Sequence, residues 1–317
     1  MPGKAITPYT TNQVYEAVLE LEVLKVDVFT DEPLAGNPSA VVLGADPLDE
    51  VQMQRVAVEM GLRSTAFVLR SKKADVKIRY FTPMSEEPIC GHSTIGSLWA
   101  LAEKEAFGSS PGGRRRLETS LGILPFHVES FPDEPKRIWM TQKRPMFSRV
   151  EEITEVASAL GIGADRMFHE EFPLSRASTG IPCLLVPIRT LQTIEKLEFR
   201  QDEVIALAHE LEVNAIYAYT WNVVDRESTV HARCIAVTPD YHEDPASAMP
   251  AGALCSYLVE NEFVPRDKAE DMVVEQGTWL GRHSKIFARV EKRGASIRKV
   301  EVGGSACVSL TGKMYVG

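Results

Sequence analysis

The chain has 317 residues, 44% of them hydrophobic and 25% charged, and carries a formal net charge of −9. Two domains suit that length better than one, and each half is long enough to bury its own core. The acidic balance argues against nucleic acid as a partner, since phosphate binding needs a basic face.

No run of about 18 apolar residues occurs, so no membrane span is expected. The five cysteines, Cys90, Cys183, Cys234, Cys255 and Cys307, are odd in number and lack a CxxC spacing. That argues against a zinc site or a disulfide framework and fits a reduced, cytoplasmic protein. The opening "MPGKAITPYTTNQVYEAV" is polar without the apolar core of a signal peptide, and residues 1–22 read as a leader.

The first strand is "LEVLKVDVFT", where alternation puts Leu24, Val26 and Val28 on one face. A Pro/Gly/Asn turn in "DEPLAGNPSAVVL" leads into a second strand. In "LDEVQMQRVAVEMG", Val51, Met53, Val56, Ala57 and Met60 recur at helical spacing and Gly61 ends the helix. "STAFVL" and "VKIRYFTP" read as strands, "GHSTIGSLWALAEKEAF" as a helix. The basic stretch "GGRRRLE", Gly112 to Glu118, reads as a solvated loop.

Beyond "FPDEPK" the order is similar. "KRIWMTQK" is a strand, "EEITEVASALG" an amphipathic helix, "IPCLLVPI" a strand and "RQDEVIALAHELEV" a helix. "NAIYAYTWNVV" and "HARCIAVTP" are strands, "PAGALCSYLVEN" a helix, and "KIFARVEKR", "SIRKVEVGG" and "SACVSLTGKMYVG" closing strands. Many strands, few helices and no regular βαβ alternation predict an α+β fold. The domains expected are 23–133, joined by a final strand at about 305–317, and 134–304.

Two segments match each other at half the chain's length. "EEPICGHSTIG" and "HEDPASAMPAG" pair Pro88 with Pro245, Cys90 with Ser247, Gly91 with Ala248 and His92 with Met249; Glu87 lies opposite Asp244. Upstream, "FTP" (Phe81 to Pro83) meets "VTP" (Val237 to Pro239). The offset points to duplication of a whole domain. In each copy a strand ends, the chain turns through acidic residues, and a helix begins among small residues that let a ligand approach closely. Its unbonded N–H groups and dipole favour an anion such as a substrate carboxylate. Two such ends facing each other make a cleft for a small molecule. The bland alternative is that Ser93, Thr94 and Asp244 only cap helices.

The segments "VDVFTDEPLAGNPSAVVL", "MGLRSTAFV", "RYFTPMSEEPICGHSTIGS", "EDPASAMPAGAL", "EQGTWLGRHSKIFARV" and "VEVGGSACVSL" resemble, in order from about Leu24 to the end, the phenazine-biosynthesis-like (PhzF-like) family. The resemblance implies two similar domains of the diaminopimelate-epimerase type, each a β-barrel-like sheet around a central helix. It also implies a last strand returning to the first domain, a homodimer, and proton transfer from carbon to carbon without metal or organic cofactor. The family's glutamate, in an S-E-T-A-F-V-like segment, falls on Ser64. Its G-H histidine falls on His92, its D-P-A-T-G-S aspartate on Asp244, and the serine closing that motif on Met249.

A serine hydroxyl is far from the pKa that proton transfer favours, so Ser64 cannot replace the glutamate as base. His92 and Asp244 remain the expected acid–base pair, with Ser64 and Cys90 as further candidate catalytic positions. Gly91, Ser93, Ser247, Ala248, Met249 and Tyr80 are expected to bind substrate. Glu86 or Glu87 is a possible substitute carboxylate, Arg79, Tyr241 and His242 flank the cleft, and Arg282 and His283 form a packed turn. The resulting expectation is a cofactor-independent isomerase, or a proton-transfer catalyst of bond shift, cyclisation or dehydration, acting on a small carboxylated metabolite. Two alternatives stand beside it. One is a binding member that has lost catalysis; the other is a two-base epimerase-like enzyme using Cys90 and Ser247.

Overall fold

The computed structural model describes residues 18–107, 113–132, 134–237 and 241–317. The expected leader up to residue 17, Gly112, Asp133 at the expected domain boundary, and Thr238–Pro239 of the upstream repeat lie outside these residues.

The alternating first segment forms β1 (Leu19–Val28) and the chain turns back into β2 (Asn37–Leu43). Helix α1 (Glu50–Met60) starts in a capping box: the Gln52 N–H donates to the Asp49 carboxylate, and the Asp49 N–H to the Gln52 side chain. It ends at Gly61 in the left-handed conformation. There follow β3 (Thr65–Leu69), β4 (Val76–Phe81), the short β5 (Glu86–Glu87), α2 (Gly91–Glu103), β6 (Arg115–Thr119), β7 (Gly122–Phe131) and β8 (Glu134–Thr141).

The second half runs β9 (Met146–Arg149), α3 (Ile153–Ala159), β10 (Ser175–Ser178), β11 (Pro182–Pro187), α4 (Leu191–Glu195), α5 (Gln201–Glu210), β12 (Ala215–Thr220) and β13 (Val230–Ala236). It closes with β14 (His242–Asp244), α6 (Ala248–Glu260), β15 (Met272–Gln276), β16 (Ser284–Arg293), β17 (Ser296–Gly304) and β18 (Ala306–Val316).

Strand pairing repeats between the halves. One lobe runs β18-β1-β2-β3-β4-β6-β7-β8 and the other β9-β10-β11-β12-β13-β15-β16-β17. In both, the third and fourth strands pair parallel, as do the fifth and sixth, and the rest antiparallel. Strands β8 and β17 pair with each other and fuse the lobes. The strand after each crosses over: β9 pairs with β10 in the second lobe, and β18 with β1 in the first. The last strand thus lies beside the first.

Each central helix links two parallel neighbours, α2 between β4 and β6, and α6 between β13 and β15. Both are apolar nearly all round because a sheet surrounds them. Ile95 and Leu98 are fully buried, each contributing about 2 kcal/mol on transfer from water. Gly96 lets α2 lie on β1, for a Cβ there would sit 2.8 Å from Val28 Cγ2. One continuous core contains both central helices; smaller clusters lie under α1 and under α3 to α5. Two similar lobes of α+β structure, each a sheet wrapped round a helix, are thus the architecture.

Two expectations need correction. The basic stretch is not a loop beyond residue 114: Arg115 to Thr119 form β6, whose alternation turns Leu117 inward and puts Arg116 and Glu118 on the opposite face. Strand β15, "MVVEQ", was not anticipated, because five consecutive buried residues carry no period-two signal. Among the described residues no helix is long and apolar enough to cross a membrane.

Candidate active site

The matching segments meet. Helix α2 starts after Cys90 and α6 after Ser247, and neither start has a side-chain cap. A Cβ added to Gly91 would lie 2.9 Å from the Ala248 Cβ, so the two helix starts touch. Around that contact lies a cavity of about 160 Å³, lined from the α2 side by Glu87, Cys90, Gly91 and His92. Asp244, Ser247, Ala248 and Met249 line it from the α6 side.

On the α2 side, Cys90 Sγ lies 3.4 Å from His92 Nδ1. Burial lowers the His92 pKa, with Arg63 acting in the same direction and Asp244 and Glu87 opposing it; the imidazole is neutral at pH 7. Burial first, and the Glu87 charge second, push the Cys90 thiol up, while the Ser64 and Ser93 hydroxyls and the Ser93 N–H pull it down. Helix position alone therefore does not make Cys90 a thiolate.

The α6 side is held more tightly. Asp244 accepts from the Asn37 amide at 2.6 Å and from the Ser247 hydroxyl at 2.5 Å. The Asn37 amide also donates to the Ala246 carbonyl at 2.9 Å, so a first-lobe residue sets the position of a second-lobe carboxylate. Gln276 completes the frame: its amide nitrogen donates to the Asp244 carbonyl at 2.5 Å and to Ser247 Oγ at 3.2 Å. Its oxygen accepts from the Tyr217 hydroxyl at 2.9 Å. Pro250 removes one N–H from the start of α6, leaving those of Ala248 and Met249 there.

Three predicted site residues lie outside the cavity lining. Tyr80 is buried in the core with its hydroxyl 2.6 Å from Thr94 Oγ1, which makes it packing for α2 and not a binding residue. Ser93 is buried behind the helix start, its hydroxyl bonded to Ser39 at 2.7 Å. Ser64 is also buried, its hydroxyl beside the Cys90 thiol. Of the flanking residues, Arg79 points away, paired with Glu50 and Glu86. Tyr241 donates to the Phe199 carbonyl. Neither Ser93 nor Thr94 caps α2; Thr94 Oγ1 donates back to the Cys90 carbonyl.

Sequence reasoning missed Arg63, which brings a cation to the lining from the residue before Ser64, and Asn37 and Gln276, which frame Asp244. Asn37 sits in a segment that carried the family resemblance, but its partner is more than 200 residues away. A larger hollow of about 600 Å³ opens elsewhere, past Asp31, Arg137, Asp225 and His283. It contains none of the predicted site residues, and Gln276 borders it from behind Ser247.

Two like lobes, with titratable side chains gathered where their central helices touch, define an epimerase-type fold. Residues 26–312 match the family model described as phenazine biosynthesis-like protein, and the chain belongs to that family. A Bacillus subtilis protein named an uncharacterized isomerase is 33% identical over 92% of this chain and 98% of its own. The trans-2,3-dihydro-3-hydroxyanthranilate isomerase of Pseudomonas aeruginosa is 29% identical over 92% of this chain and 98% of its own. The crystal structure of a Bacillus anthracis phenazine biosynthesis protein of the PhzF family superposes with a TM-score of 0.84 at 26% identity, covering 93% of this chain and 99% of that one. The chain is an enzyme of the isomerase type.

Proposed function

We propose that the chain moves a proton between carbons of a small carboxylated metabolite held where α2 and α6 meet, giving a bond shift, a cyclisation or a dehydration. The observation that carries this is the contact of Gly91 with Ala248, which sets His92 and Asp244 on the two sides of one cavity of about 160 Å³. The N–H groups of Gly91, Ala248 and Met249 and the nearby charge of Arg63 suit a substrate carboxylate. Neutral His92 is in the form that takes a proton. Asp244, fixed by Asn37, holds the Ser247 hydroxyl towards the opposite face. A reducing, cytoplasmic setting belongs to the same reading and is supported by five free thiols.

The test is solvent deuterium incorporation, followed by proton NMR, into small unsaturated ring carboxylates, with trans-2,3-dihydro-3-hydroxyanthranilate among them. His92→Ala and Asp244→Ala should each lower exchange by about 10²-fold or more while far-UV circular dichroism stays unchanged. Full activity in both variants would remove the assignment. Ligands that bind without exchanging would favour a binding member that has lost catalysis.

One observation favours a second reading, the two-base enzyme. Cys90 lies beside His92 and Ser247 beside Asp244, at equivalent positions of the two lobes. Confirmed alkylation of Cys90 should abolish exchange on that reading, and undiminished activity of the alkylated protein would remove it.

A further inference from the structure

With serine at position 64, β3 supplies no carboxylate to the α2 side of the cavity. Strand β5 is two residues long, and its alternation sends its two carboxylates opposite ways. Glu86 faces out, where Arg79 donates to it through Nε at 2.7 Å and through Nη2 at 2.6 Å. Glu87 faces in and lines the cavity.

The duplicated topology gives Glu87 a counterpart. Glu87 pairs with Tyr80 on β4 as Asp244 pairs with Cys234 on β13. Each carboxylate is followed by a proline, then two residues on by the helix-capping position, Cys90 or Ser247. Equivalent places in two facing lobes thus carry one acidic group each, on the two sides of a single cavity.

We propose that Glu87 is the acid–base carboxylate of the α2 side, working opposite Asp244 in place of the glutamate that Ser64 replaces. This rests on the proton-transfer reading above. In a bond shift, the Glu87 carboxylate removes a proton from a saturated ring carbon, so the C–H bond breaks and an O–H bond forms. The released electron pair makes a C=C bond to the neighbouring carbon. The original double bond's electrons move to its far carbon, which takes the proton back from Glu87. Glu87 ends ionised as it began, and no oxidant or reductant is consumed. Arg63, Cys90, His92, Cys234 and Asp244 are the titratable or charged groups that share the cavity with it.

The experiment uses the full chain as wild type, Glu87→Gln and Glu86→Gln, with two readouts. The first is deuterium exchange into the unsaturated ring carboxylates named above. Glu87→Gln should lose about 10²- to 10⁴-fold, and Glu86→Gln should stay within about threefold of wild type. The second needs no substrate: the pH dependence of iodoacetamide alkylation at Cys90, resolved from Cys307 by peptide mass. Because the Glu87 charge disfavours the thiolate, Glu87→Gln should move that profile to lower pH and Glu86→Gln should leave it in place.

Exchange retained in Glu87→Gln, or an unmoved Cys90 profile, overturns the proposal while the isomerase reading stands. A wild type that exchanges none of the compounds overturns the isomerase reading, and the catalytic role of Glu87 with it, even if the Cys90 profile moves.

Discussion

His92 is the residue whose environment departs most usefully from its ordinary one. Burial holds its pKa below 6.5, the value it takes when unfolded. Between those two values the unfolded chain binds a proton that the folded chain refuses, so stability falls as pH drops below about 6.5 and is unaffected by this group above it. Urea unfolding of wild type and His92→Gln at pH 5.5 and 7.5 checks this: the variant should lose less stability on acidification. An identical loss in both would mean that His92 is not a buried neutral base. Ser64 supports a second prediction at this scale. Ser64→Glu alone should not raise turnover of trans-2,3-dihydro-3-hydroxyanthranilate, the compound named for the Pseudomonas aeruginosa relative, above that of wild type, because Met249 also stands where the family motif has serine; an increase in the single variant would contradict it. His92 and Asp244 could be singled out from the sequence because both sit in ordered motifs, and both line the cavity. Tyr80 was misplaced for a local reason: a residue flanking a motif on a strand points to the core or the cleft according to register, which sequence alone leaves open.

Among the elements, helices with an outer face were the most legible. Periodicity and Gly61 marked α1, whose capping box then appears at Asp49 and Gln52. The central helices had no amphipathic period, and their small residues carried the signal instead. Gly96 tests that: Gly96→Val should press on Val28 and lower stability by about 1–3 kcal/mol in urea unfolding, with α2 displaced from β1. Unchanged stability would show that the helix has room to move away from the strand. Strands β5, β6, β7, β9, β10, β14 and β15 were missed; most are short, heavily charged or continuously buried, and β7 is interrupted by Pro125. Two of them, β6 and β15, also pair parallel with strands distant in sequence, β4 and β13.

Across the whole molecule, the lobes are joined by exchanged strands and by a buried ion pair. Asp27 is fully buried and accepts from Arg282 Nη2 at 2.7 Å, while the same guanidinium holds the Gly36 and Ala35 carbonyls. Arg282→Met leaves the Asp27 charge without its cation and should cost about 3–5 kcal/mol. Adding Asp27→Asn should recover part of that loss, as read from thermal and urea midpoints; no recovery would mean that the carbonyl contacts, not the charge, matter.

The amino-acid order by itself determined that the chain is a duplicated α+β protein, which family it resembles, and that titratable residues gather at two helix starts. Those features are written in local patterns, namely alternation, helix stops and motif spacing. Only the tertiary structure decided that the helix starts touch, that Asn37 and Gln276 hold Asp244, and that Glu87 turns inward while Glu86 turns out. Each of these depends on strand register and on contacts between residues far apart in sequence, which local pattern does not encode.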